Sequence, residues 1–220
     1  GVAIVTPSEL VTAPGCGQIR LVVSNGTVYY TNNSAGTVNS VAATGGTPTV
    51  IAMNQNKPNP IAVDGTNVYW GNDGDRTVMK QAIAGGAASP IVPAPTADTD
   101  PKNVANALLV DSGTLYVGRG VDTYKIPTAG GTLTQLSHSL EGGYPGAFAF
   151  DGTHLYQTEA EHDAITRETI DGSQMGAITD GSVHALAPDR LAVSRAALAT
   201  DALAISGNYV VWANGNAIEA

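Results

Sequence analysis

One phrase recurs along this 220-residue chain and dictates the kind of fold open to it. Residues 21–30 comprise an apolar run, the turn Ser24-Asn25-Gly26-Thr27, and a β-prone run that reaches Tyr29-Tyr30. The same order returns at residues 61–70 around Asp64-Gly65-Thr66, at 109–116 around Ser112-Gly113-Thr114, and at 148–156 around Asp151-Gly152-Thr153. A degraded fifth copy spans residues 203–212 around Ser206-Gly207-Asn208, with Val211 in the tyrosine position. The tyrosines stand at 29, 69, 116 and 156, hence 40, 47 and 40 residues apart, a period in the range of propeller blades.

Each copy reads as a hairpin, because a small polar residue followed by glycine supplies the positive φ of a tight turn. A third β-prone run follows, at residues 37–41, 77–81 and 123–126. Then come the pairs Gly45-Gly46, Gly85-Gly86 and Gly130-Gly131, with Asp171-Gly172 in the fourth copy, and one more β-rich stretch. Four strands per unit cannot bury both faces of their sheet, so the units must stack. The expected fold is all-β, a single-domain β-propeller of five four-stranded blades, a closed ring being favoured over a solenoid. The blades are expected at about 21–60, 61–106, 107–145, 146–202, and 203–220 completed by 1–20. The N-terminal strand, residues 2–5 or 9–11, pairs with the C-terminal blade and leaves no long open edge. Surplus chain at 185–202, rich in alanine, is expected to carry a short helix. The tyrosine positions are expected to be buried between blades, as are Tyr30, Trp70 and Trp212 beside them, because periodic recurrence marks packing positions.

Composition narrows the function classes. Charged residues make up 13% and aromatics 5%, with 26 glycines and 12 prolines, which excludes helical bundles and coiled coils. A hydrophobic share of 43% excludes disorder. A net charge of −9 opposes a phosphate-binding surface, so no nucleic-acid partner is expected. No apolar run is long enough for a membrane helix. The lone Cys16 can form neither an internal disulfide nor a cysteine zinc site. Because the chain starts at Gly1, a processed mature form is expected.

The blade phrase resembles that of bacterial secreted or periplasmic β-propellers whose blades carry Val-Asp-Gly-Thr-Asn-Val-Tyr-Trp, found here as residues 63–70, followed by a Gly-Gly turn. Such chains are abundant in myxobacteria. The resemblance covers nearly the whole chain and implies the propeller fold and a secreted or periplasmic location in a bacterium. It implies no particular reaction, since the repeated phrase is scaffold.

Variation between copies is where function should lie. If the strand before the Asx-Gly turn is innermost, the loops between second and third strands converge on the channel mouth. A ligand is therefore expected against Asn32, Asn72, Asp73, Arg119, Glu161, His162 and Asn214, from equivalent places in successive blades. Residues 159–163 are the densest cluster: Glu159, Glu161, His162 and Asp163 offer oxygen and nitrogen donors to a divalent cation such as calcium. No motif demands a cofactor: nucleophile-elbow, zincin and phosphate-loop patterns are all missing, and Asn72-Asp73-Gly74-Asp75 lacks the glutamate of a calcium loop. The loops are short for a substrate cleft. The expected function is accordingly a non-catalytic, monomeric module binding a glycan or a peptide. The alternative is a metal-dependent lyase or hydrolase using residues 159–163.

Overall fold

In a computed structural model, the described residues are 10, 17–96, 100, 102–138, 143–159, 164–171, 175–177, 198–206, 209–214 and 217–219; of residues 164, 175–177 and 198–219, the backbone alone is considered. They form antiparallel sheets in chain order. The first is β1 (Ile19–Ser24), β2 (Thr27–Asn32), β3 (Thr37–Ala42) and β4 (Thr49–Ala52). The second is β5 (Pro58–Val63), β6 (Asn67–Asn72), β7 (Thr77–Ala82) and β8 (Ser89–Val92). The third is β9 (Ala105–Asp111), β10 (Thr114–Arg119), β11 (Asp122–Pro127) and β12 (Thr134–His138). The fourth is β13 (Pro145–Phe150), β14 (His154–Glu159), β15 (Ala164–Thr169) and β16 (Met175–Ala177). A three-stranded sheet of β17 (Leu198–Ser206), β18 (Tyr209–Asn214) and β19 (Ala217–Glu219) follows.

First strands pack on first strands, β1 on β5, β5 on β9, β9 on β13 and β13 on β17, so they line the axis of a propeller-like arrangement. β5, β9, β13 and β17 each also meet the second strand of the preceding sheet. The turns follow the repeat. Asn25 and Gly26 both have positive φ (49° and 72°), as do Ser112 and Gly113 (44° and 79°), the I′ geometry that matches strand twist. In the second and fourth blades Gly65 and Gly152 take the first positive-φ position (84° and 95°), each preceded by an aspartate, Asp64 or Asp151. Each carboxylate accepts two backbone N–H bonds at 2.7–2.8 Å, from Thr66 and Asn67, and from Thr153 and His154.

The tyrosine face of each blade packs against the opposite face of the next. Tyr29, Val38 and Ala52 meet Ile61, Val68 and Trp70; Tyr69, Val78 and Val92 meet Leu115, Val117 and Ile126; Tyr116 and Leu136 meet Leu155. Tyr29, Tyr69, Tyr116 and Tyr156 are all buried, as their recurrence predicts. Lysines tie neighbouring blades: Lys80 Nζ donates to the Thr128 carbonyl and Lys125 Nζ to that of Ile170, each at 2.6 Å. Blades approach closely where second strands carry glycine. A Cβ on Gly71 would stand 2.8 Å from Ala105 Cβ, and one on Gly118 would stand 2.7 Å from Pro145 Cβ. Gly71→Thr, which copies Thr31 of the first blade, is therefore expected to cost about 1–3 kcal/mol by overpacking, read as a lower denaturation midpoint.

Three expectations need revision. First strands begin before the repeated phrase, at Pro58 rather than 61, Pro145 rather than 146 and Leu198 rather than 203, because a register shift lets each strand continue past its bulge. Residues 198–202 are strand, not helix, and the rest of the expected helix lies outside the described residues. The N-terminal strand expected to close the ring, at residues 2–5 or 9–11, likewise falls outside the described residues save Leu10. Among the described residues there are four complete four-stranded blades and a three-stranded sheet, not the five complete blades of a closed ring.

Candidate functional site

Asn32, Asn72, Arg119, Glu159 and Asn214 are the last residues of β2, β6, β10, β14 and β18, the same register position in successive sheets. They share one end of the molecule with the loops that follow them and with the connections that enter β5 and β9. Backbone bonds knit the two sets together: Gln55 N–H to the Gly36 carbonyl, Asp73 N–H to Lys57, Gly74 N–H to Asn56, and Gly120 N–H to Val104. Asn32, Asn72, Arg119 and Glu159 are buried rather than exposed loop residues. Gln55 Oε1 accepts from Trp70 Nε1 at 3.0 Å and from Asn72 Nδ2 at 3.3 Å. Arg119 Nε donates to the Asn103 carbonyl at 3.2 Å, and its guanidinium reaches the Arg76 carbonyl. These residues brace the mouth.

Asp73 differs from them. It begins the loop after β6, is half-buried, and receives Asn59 Nδ2 on Oδ2 at 3.1 Å. Its Oδ1 is shielded from solvent and has no hydrogen-bond partner; the same holds for Asn59 Oδ1 and Asn72 Oδ1. Burial pushes its carboxyl up to about 6, with the Asn59 bond and the Arg20 and Lys57 cations pulling the other way. Asn59 is itself fixed from the first blade, since Thr31 Oγ1 donates to its carbonyl at 2.7 Å. The sequence reading missed Asn59, which lies in the residues before the repeated phrase but inside the inner strand β5.

Of the expected cation ligands, Glu159 is buried at the end of β14, while Glu161, His162 and Asp163 lie outside the described residues. Among the described residues no three His, Cys, Asp or Glu side chains gather as metal ligands do. No helix there is long and apolar enough to cross a membrane. The two described histidines belong to local pairs: His138 Nδ1 lies 2.6 Å from Asp122 Oδ1, and His154 Nδ1 lies 3.3 Å from Asp151 Oδ2.

A second unusual carboxyl lies away from the mouth, between the third and fourth blades. Glu168 of β15 is 2% exposed, and neither of its oxygens has a hydrogen-bond partner. Near it is the Ser137 hydroxyl, also unpartnered. Burial pushes Glu168 up to about 7; the nearby Ser137 hydroxyl opposes this and the charge of Glu159 adds to it.

The geometry has counterparts among solved structures. A streptogramin B lyase superposes with a TM-score of 0.73 at 17% identity, over 94% of this chain and 66% of that one. A virginiamycin B lyase from Staphylococcus aureus gives 0.68 at 15% identity, over 90% and 64%. A chain of a nidogen/laminin complex gives 0.65 at 17% identity, over 86% and 68%. The chain is a β-propeller. It spans about two thirds of the length of these structures. No family model matches the sequence, and no curated protein does. The expected non-catalytic module is thereby corrected. Short loops do not disfavour catalysis, since the same arrangement of blades carries lyases, and nothing among the described residues marks a glycan site.

Proposed function

We propose that this propeller is an enzyme of the lyase type, working from the loop face with Asp73 as its proton-abstracting base. The observation that carries this reading is the Asp73 carboxylate, with Oδ2 tethered to Asn59 and Oδ1 unpartnered. A base needs one free lone pair aimed into the site and a proton affinity near working pH. Asp73 meets the second need because burial has raised it to about 6. In an elimination, Oδ1 takes the proton from carbon, the released electron pair forms the double bond, and the leaving group departs with the electrons of its own bond and is protonated by water. Arg20 and Lys57, both close enough to act on Asp73, offset negative charge that builds in the transition state. The lyase character of two structures sharing the fold supports the reaction class. The bacterial secreted or periplasmic setting implied by the repeat belongs to the same proposal, with cell fractionation as its check.

Virginiamycin B is the trial substrate, assayed with and without added calcium by absorbance of the new double bond. Turnover should rise with pH through about 6, the range in which Asp73 ionises. Asp73→Asn should lower kcat by about 10²–10⁴, the usual worth of a general base, with an unchanged or higher Tm. Full activity in that variant would remove Asp73 as base, and absence of turnover across pH 5–9 in either condition would remove this substrate class.

A further inference from the structure

The repeat shows what the place of Glu168, in the seam between the third and fourth blades, holds elsewhere. The outer strands β4 and β12 each carry a bulge residue, Ile51 and Leu136, skipped by the register with their inner neighbours β3 and β11. Between the first and second blades, Gln81 of β7 reaches back and donates Nε2 to the Ile51 carbonyl at 2.9 Å. Glu168 stands where Gln81 does, opposite Leu155 on β14 as Gln81 is opposite Val68 on β6. Leu136 likewise stands where Ile51 does. A glutamine brings an N–H to that carbonyl; a carboxylate brings only lone pairs. The seam therefore sets acceptor beside acceptor. Both Glu168 oxygens are buried without a hydrogen-bond partner, and so is the Ser137 hydroxyl close by. Thr166, two residues earlier on the same face of β15, has an unpartnered buried hydroxyl as well. One proton on Glu168 would serve a single bond and leave the remaining oxygens unanswered. A cation serves several at once.

We propose that this seam is a calcium site, with Glu168 of the fourth blade as its anionic ligand and the Ser137 hydroxyl and Leu136 carbonyl of the third blade as neutral ones. The donor set is all oxygen, which selects a hard cation. Calcium accepts irregular sets of carboxylate, carbonyl and water-like oxygens at about 2.3–2.6 Å, whereas magnesium demands a near-ideal octahedron and keeps its waters. Charge makes the same choice. Glu168 also feels the negative charge of Glu159, so a divalent ion offsets both where sodium would offset one. The ion would join the two blades at the point where the bond from Gln81 to Ile51 joins the first and second. The site stands apart from Asp73 and the mouth, and is independent of the lyase reading.

Calcium chloride titrated into chelator-stripped protein at pH 8, with Tm followed by calorimetry, tests the site. The parent should melt higher by about 5–10 °C at a hundredfold excess of calcium over its dissociation constant. Glu168→Gln, which copies Gln81, should not respond. Ser137→Ala, which keeps the carboxylate, should need about tenfold more calcium for the same gain. Magnesium chloride at equal concentration should give little of the effect. A parent unmoved by calcium would overturn the proposal and leave a proton as what neutralises the acid. An equal response in Glu168→Gln would overturn it by placing the ion elsewhere, and equal gains with magnesium and calcium would do so by marking charge screening instead of a built site. Should Glu168→Gln misfold, Ser137→Ala still decides: a calcium response matching the parent's would remove the hydroxyl as a ligand, and with it the site between the blades.

Discussion

Tyr69→Ala should be the most damaging single substitution in the second blade, costing about 3–5 kcal/mol as a large-to-small change in a packed interface. Tyr69 is 0% exposed and sits with Val78 and Val92 against Leu115, Val117 and Ile126 of the next blade, so its removal opens a cavity between two sheets. Polar contacts add to the loss. Its hydroxyl donates to Asp64 Oδ2 at 2.7 Å, and Lys80 Nζ lies 5.8 Å from the ring centroid while holding the Thr128 carbonyl. Burial and the Asp64 carboxylate raise the phenol far above its ordinary range, so it stays a donor at any working pH. On Asp64, burial pushes upward, but bonds from Tyr69, Asn67 and Thr66 outweigh it and hold the carboxyl below its ordinary value. Tyr69→Phe separates the two contributions. It keeps the packing and loses one hydrogen bond, for about 1–2 kcal/mol. For a domain of this size the alanine variant should melt lower by about 6–20 °C and the phenylalanine variant by a few degrees, both measured by calorimetry. Equal melting of Tyr69→Ala and the parent would mean that the repeated tyrosine is not an interface residue.

That tyrosine shows how much of the fold the sequence displays, and why. A residue recurring at a fixed period must serve every copy alike, so periodicity alone reveals its burial. The Asx-Gly turns are equally visible, because only a few residue types accept positive φ there. The partnership between the turn aspartate and the tyrosine five residues on escaped notice, although both stand in the quoted phrase. Period and turn propensity say nothing about where a hydroxyl points. First-strand starts were misplaced for a different reason. The bulges before Ile61, Phe148 and Leu203 add residues that belong to the strand but not to the repeat, so the strand outruns its signature. At the mouth the sequence identified the equivalent positions 32, 72, 119 and 214 and singled out Asp73. It ranked Asp73 with exposed loop residues, because the cover that buries it comes from Asn59 and from the preceding blade, contacts with no local trace in the chain. Glu168 was passed over entirely. It replaces Val41, Gln81 and Ile126 of the other blades, and a charged residue breaking an apolar period is a signal that a search for loop clusters does not examine.

Glu168 should make this protein more stable in mild acid than in mild base. Its carboxyl is pushed up to about 7 in the folded chain, against an ordinary value of 4.5, so the folded state holds a proton that the unfolded state releases. The stabilising contribution is fully present below about 4.5 and is lost as pH rises through about 7. A shift of this size corresponds to a few kcal/mol. Asp73, pushed up to about 6, acts with the same sign at slightly lower pH. The groups facing Glu168 supply no compensating cation: Glu159 contributes repulsion, Tyr116 on β10 is a neutral phenol, and Ser137 offers only a hydroxyl outside hydrogen-bonding geometry. Glu168→Gln removes the charge and keeps the shape. It should raise Tm at pH 8, leave it nearly unchanged at pH 5, and flatten the decline between them, as followed by calorimetry from pH 5 to 8.5. Glu168→Met, restoring the apolar residue of the first and third blades, should do the same with better packing against Leu155 and Leu136, since replacing an unpaired buried charge by an apolar group is often stabilising. A parent whose Tm rises from pH 6 to 8, or a Glu168→Gln variant less stable than the parent at pH 8, would show that the carboxylate is satisfied in solution and that the interface between the third and fourth blades is held by the ion rather than in spite of it.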